Sequence, residues 1–134
     1  MKKNLSDIKI ISKDFFSDER GLFYENYNSS KFKKSVAKEI IFVQDNISIS
    51  KKGVLRGMHF QKSPCQQHKL ISVIKGQILD VVVDIRKKSL TFGDHMSLII
   101  SENSDFSILI PKGYAHGFLA LSDEVILSYK TDKH

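Results

Sequence analysis

Residues 54–61 read Val54-Leu55-Arg56-Gly57-Met58-His59-Phe60-Gln61: an apolar entry, then a cation, a glycine and a histidine. Val, Leu and Phe suit a pleated, half-covered surface, so the stretch is expected to be a buried strand. Strict alternation puts Leu55, Gly57 and His59 on one face and Arg56 and Met58 on the other. Arg56 and His59 can therefore serve one pocket only if the strand twists or bulges. An interior glycine is where a bulge costs least. In a regular strand, His59 is a core histidine and Arg56 a surface cation.

Outward from this stretch the pattern stays β. Strands are expected over 40–49, 69–75, 77–85, 94–101, 106–110, 114–121 and 124–130, separated by turn formers such as Lys75-Gly76 and Pro111-Lys112-Gly113. Upstream, residues 1–13 carry Ile8, Ile10 and Ile11 and read as a first strand. Residues 15–21 read as a sharp turn ending at Gly21, and 22–27 as an aromatic strand whose Glu25 faces solvent or a ligand. One short helix is expected from Lys31 to about Lys38, capped by Ser29 or Ser30, with Phe32 and Val36 on one face. Many short strands without linker or repeat point to an all-β antiparallel sandwich or barrel, jelly roll among the commonest, in one domain over 1–134.

Gln77–Ile85 (QILDVVVDI) alternates most clearly. Leu79, Val81, Val83 and Ile85 share one face; Ile78, Asp80, Val82 and Asp84 share the other. Two carboxylates on one apolar face are costly unless paired or wet. Either they pair with Arg86 or a lysine at the rim, or at least one fixes a cation or histidine in a cavity.

The net charge of +6 favours anionic partners. The basic residues are scattered in pairs (Lys2–Lys3, Lys33–Lys34, Lys51–Lys52, Lys87–Lys88), with no tryptophan and no zinc-finger spacing, which argues against nucleic acid and leaves a phosphate-bearing ligand open. No run is long and apolar enough for a membrane span, and the start lacks a signal-peptide core. The single Cys65 allows no internal disulfide, which fits a reducing cytoplasm. His59, His68, His95, His116 and His134 match no metal-binding spacing, so no metal is expected. His116, set in Gly113-Tyr114-Ala115-His116-Gly117, is flanked by small residues that would leave its ring accessible.

Several segments, taken in order, resemble the dTDP-4-dehydrorhamnose 3,5-epimerase family along nearly the whole chain: DERGLFYENYN, VQDNIS, VLRGMHFQ, HKLISVIKGQILDVVVDIRKKSLTFG, SEN, IPKGYAHGFLALS and SYK. The resemblance implies a cupin-type jelly-roll barrel with one short helix, working as a cytoplasmic homodimer without metal or cofactor. The implied substrate is a nucleotide-diphosphate 4-keto-6-deoxyhexose, epimerised at C3 or at C3 and C5, in deoxysugar synthesis for surface polysaccharide such as lipopolysaccharide O-antigen. Carried over by position, His59 is the general base and Tyr129 the general acid. Lys69 holds the enolate oxyanion, and Arg56, Lys69 and His116 line the sugar and diphosphate site. Gln44, Asp45 and Asn46 form a binding segment, and Arg20 and Glu25 contact the nucleotide, reaching a neighbouring subunit's site.

Family members continue beyond the SYK strand with an aspartate that supports the base and an aromatic that stacks on the nucleotide base. In this shorter sequence Asp80 or Asp84 is expected to support His59 or His116 instead. The family's usual glycine before the lysine is His68 here. The nucleotide, dTDP, CDP or another, stays open. Two other readings are a 3,4-ketoisomerase, which needs a similar base but no opposite-face acid, and a sugar-nucleotide-binding paralogue without turnover.

Overall fold

The computed structural model describes residues 5–134, so the start of the first expected strand and the Lys2–Lys3 pair lie outside the described residues. Eleven strands and one helix follow in the order β1 (Lys9–Ser12), β2 (Phe15–Asp18), β3 (Gly21–Tyr24), α1 (Ser29–Ser35), β4 (Gln44–Lys51), β5 (Leu55–His59), β6 (Lys69–Lys75), β7 (Gln77–Asp84), β8 (His95–Ser101), β9 (Phe106–Ile110), β10 (Tyr114–Ala120) and β11 (Glu124–Thr131). They form a five-stranded sheet ordered β1-β9-β6-β11-β4, a four-stranded sheet ordered β5-β10-β7-β8, and a β2-β3 hairpin. Every pairing is antiparallel, and the two large sheets face each other as a cupin-type jelly roll.

Alternation builds the space between the sheets. On β7 the face carrying Ile78, Asp80, Val82 and Asp84 is the buried one. Its aliphatics join Ile71, Val73, Ile100, Ile108, Ile110, Val125 and Leu127 in one core. Each such side chain contributes about 1.5–3 kcal/mol when fully removed from water. A second cluster of Phe32, Ile40, Leu70 and Leu109 lies where α1 covers the other face of the five-stranded sheet. There the rings of Tyr27, Phe32 and Phe42 meet with centroids 5.2–5.8 Å apart.

Four expectations need correction. The helix is shorter, Ser29–Ser35, and its cap is Asn28, whose Oδ1 accepts the Lys31 N–H at 3.1 Å. Asn caps as well as Ser, and the helix unwinds at Val36, so only Phe32 is buried. Residues 15–18 are a strand instead of part of the turn; Phe15 pairs with Tyr24, their ring centroids 4.7 Å apart. β4 begins at Gln44, four residues later than expected, because 40–43 lead into the second cluster. Finally, β5 is exposed along its length, with Leu55 70% accessible. It is the edge of its sheet and leaves its outward face uncovered.

The bulge at Gly57 is present. His59 stands opposite His116 and Arg56 opposite Phe118, so Gly57 and Met58 together face Gly117 alone. Gly57 takes φ 125°, and a Cβ there would stand 2.5 Å from the Gly117 Cα. Gly117 allows the same approach from the other side. This is a place where two backbones meet with no room for side chains.

Candidate active site

Between the sheets lies a cavity of about 150 Å³, lined by Ser48, Arg56, His59, Lys69, Ile71, His116, Phe118, Leu127 and Tyr129. Its wall combines apolar side chains with a few cations and hydrogen-bonding groups, the mix that orients a small ligand. Arg56, His59, Lys69, His116 and Tyr129, picked out in the sequence, thus meet in one cavity. They come from both sheets: Arg56 and His59 from β5, His116 from β10, Lys69 from β6 and Tyr129 from β11.

The bulge brings Arg56 and His59 to the same wall. The Arg56 Nε–H donates to Ser50 Oγ at 2.9 Å and its Nη2–H to the Ile49 carbonyl at 3.3 Å. Arg56 therefore ties the β5 edge of one sheet to the β4 edge of the other. The remaining guanidinium N–H groups stay available to an anion. His59 is exposed, and its imidazole has no hydrogen-bond partner among the described residues.

The two aspartates of β7 divide the two readings open in the sequence. Asp80 is 1% exposed and its Oδ1 accepts from His116 Nε2–H at 2.5 Å; His116 is itself buried. The carboxylate fixes the ring's orientation and tautomer. Asp84 faces neither histidine. Its Oδ1 accepts the Arg86 Nε–H at 3.0 Å, and its Oδ2 accepts Arg86 Nη2–H at 2.9 Å and Ser89 Oγ–H at 2.7 Å. The hydrogen-bonded Arg86 holds the Asp84 carboxyl far below its usual pKa. Arg86 Nη2 also donates to Tyr114 Oη at 2.8 Å, and burial pushes that phenol up to about 12.

Lys69 is half-buried, and desolvation lowers the pKa of its ammonium. No described residue forms an ion pair or hydrogen bond with that ammonium. Of the segment 44–46, Gln44 Nε2–H donates to Asn46 Oδ1 at 3.1 Å on the inward face of β4. Asp45 lies on the outward face and pairs with Lys130 at 3.1 Å. Arg20 and Glu25 are not among the residues that line the cavity. Arg20, 87% exposed, forks onto Asp18 at the hairpin tip, and Glu25 pairs with Lys31 at 2.8 Å. Cys65 is free and exposed. Among the described residues no group of three His, Cys, Asp or Glu side chains could hold a metal ion, and no helix is long and apolar enough to cross a membrane.

Sequence reasoning missed Ser48, whose hydroxyl oxygen is buried at the cavity wall without a hydrogen-bond partner. Its place two residues after Asn46, on the same strand face, was the available signal. It also missed the pairing of His68 with Asp132, at 2.7 Å.

Comparison with known proteins extends the resemblance. The family model described as dTDP-4-dehydrorhamnose 3,5-epimerase matches residues 2–134. The chain is 45% identical over 132 residues to the Shigella flexneri protein of that name, covering 98% of this chain and 73% of that one. It is 47% identical over 130 residues to the Methanothermobacter thermautotrophicus protein, covering 97% and 69%. The Legionella pneumophila epimerase solved with dTDP-4-keto-L-rhamnose superposes with TM-score 0.93 at 42% identity, over 100% of this chain and 71% of that one. A 3′-monoepimerase from Streptomyces bikiniensis, solved with dTDP as a double variant with a histidine changed to asparagine and a tyrosine to phenylalanine, superposes at 0.90 with 26% identity, over 100% and 68%.

Proposed function

Because the chain belongs to the dTDP-4-dehydrorhamnose 3,5-epimerase family, we propose that it inverts C3, or C3 and C5, of a nucleotide-linked 4-keto-6-deoxyhexose through an enolate. His59 removes the proton next to the ketone, Lys69 neutralises the oxygen that becomes negative, and Tyr129 returns a proton to the opposite face. The observation that carries this reading is that His59 and Tyr129 belong to opposite sheets of one cavity that Lys69 also lines. Inversion requires deprotonation and reprotonation on opposite faces. A ketone-activated C–H is within reach of a histidine base when the enolate is stabilised. A fixed cation in a partly dry site contributes about 3 kcal/mol to that stabilisation. Only protons move, so the step balances without oxidant or reductant.

Arg56 and His116, the latter oriented by Asp80, suit the diphosphate and sugar. The nucleotide is dTDP on this reading, supported by the dTDP-sugar bound to the Legionella relative. Arg20 and Glu25 serve a second copy's site. A homodimer gains support from the apolar side chains that β4 turns outward, Ile47 and Ile49, 59% and 61% exposed. Patches of this kind are more often covered by a partner than left in water. The product would enter cytoplasmic deoxysugar synthesis for surface polysaccharide.

The test is incubation with 4-keto-6-deoxyglucose carried on dTDP, CDP or GDP in heavy water. Deuterium at C3 alone, or at C3 and C5, with inverted product supports the proposal. Absence of label on every carrier refutes it in favour of an inert binder, and a carbonyl moved to C3 means a ketoisomerase.

A further inference from the structure

From the contacts at the start of β6, we infer that His68 and Asp132 form a latch that positions Lys69. The inference rests on Lys69 being the group that meets the enolate oxygen. The Asp132 carboxylate takes two hydrogen bonds from one residue: the His68 backbone N–H at Oδ1 and the His68 Nδ1–H at Oδ2, both 2.7 Å. Both side chains are only 13% exposed. A carboxylate that grips backbone and ring together fixes both the peptide and the side chain of the residue immediately before Lys69.

The surroundings make that grip consequential. His59 and Lys69 stand at opposite ends of the connection 60–68, which is bound to the chain beyond β11 at further points. Gln67 Nε2–H donates to the Lys133 carbonyl, and Lys133 Nζ–H to the Pro64 carbonyl, each at 2.8 Å. Lys69 pairs with Thr131, one residue before Asp132, and β11 also carries Tyr129. The latch therefore joins the residue just after the strand that carries Tyr129 to the residue just before Lys69, the first residue of β6. No described group holds the Lys69 ammonium directly, so its direction is inherited from its backbone and from packing. His68 itself emerges on the opposite strand face and does not line the cavity. It acts through Lys69 and is a positioning residue.

Three variants test this: His68→Ala and Asp132→Ala, which break the latch, and His68→Asn, which keeps a side-chain donor near the position of Nδ1. Lysines are reductively methylated with ¹³C-formaldehyde, and the dimethyl-Lys69 resonance is assigned by its loss in Lys69→Arg. That resonance is expected to shift or broaden in both alanine variants and to return to its wild-type position in His68→Asn. In turnover, the alanine variants should lose about tenfold in kcat with KM within twofold, and His68→Asn should recover most of it. A Lys69 resonance indifferent to all three variants, in protein whose spectrum stays well dispersed, overturns the latch. Equal loss in His68→Asn and His68→Ala does so too. A resonance that responds while the wild type itself shows no isotope exchange supports the latch and refutes the catalytic reading of Lys69.

Discussion

Replacing Gly57 by alanine should damage the molecule where Arg56 and His59 are set on the cavity wall. Two costs add. The first is conformational: φ 125° lies where a side chain is strained, at about 1–3 kcal/mol. The second is steric, because the new methyl would stand 2.5 Å from the Gly117 Cα and 2.9 Å from the His116 carbonyl oxygen. Both are backbone atoms and cannot rotate aside, so β5 and β10 must separate or β5 must lose its bulge, at about 1–3 kcal/mol more. The sum, about 2–6 kcal/mol, is a large part of the roughly 5–15 kcal/mol that stabilises an ordinary domain. Gly93→Ala is the matched control. Its φ is 82° and nothing lies within 4 Å of the added methyl, leaving a conformational cost of about 1 kcal/mol. Urea unfolding of both variants, followed by isotope exchange on folded protein, measures the difference. Gly57→Ala should be the less stable by at least 1 kcal/mol, with exchange down tenfold or more as Arg56 and His59 leave a common wall. Equal stability of the two variants, or full activity in Gly57→Ala, would refute the argument that the close backbone approach sets the site.

Other outcomes follow from the same geometry. Asp80→Ala leaves the buried His116 Nε2–H without its acceptor, so unfolding should show a loss of about 1–3 kcal/mol and exchange should slow. Asp84→Asn should act through stability alone, and its effect should depend on pH. The folded-state pKa of Asp84 is depressed below the ordinary 3.8, so its contribution is fully present above about pH 5 and is lost as pH falls toward the folded value. The wild-type advantage, on the order of 3 kcal/mol at pH 7, should shrink in urea titrations carried to pH 3. His59→Asn should abolish solvent deuterium exchange while nucleotide binding stays within a few-fold; exchange at the wild-type rate would move the base elsewhere. Tyr129→Phe should lose net inversion before it loses washout of substrate deuterium, and equal loss of both would make Tyr129 a packing or binding residue.

What could be read from the chain alone was what depends on near neighbours. The alternation of Gln77–Asp84 sorts its residues onto two faces, because side-chain period in a strand is two whatever the partner, but packing decided that the face with both aspartates is the buried one. Gly57 inside an apolar run marked where a bulge would cost least, and the close approach to Gly117, which excludes a Cβ, is where it sits. The order of motifs was enough to identify the family. Long-range pairing decided the rest. Asp80 and Asp84 occupy equivalent places in one alternating strand, yet Asp84 meets Arg86 two residues on, while Asp80 meets His116 on a strand 36 residues away. Arg86 is close enough in sequence to claim Asp84, but only the register of β10 on β7 sets His116 against Asp80. The exposure of β5 likewise follows from its place at the sheet's edge, which its own apolar residues do not encode. Phe15 and Phe16 look like part of a turn until Tyr24 and Phe23 are set against them. The His68–Asp132 contact spans 64 residues, so it exists only because β6 and β11 are neighbours in the sheet.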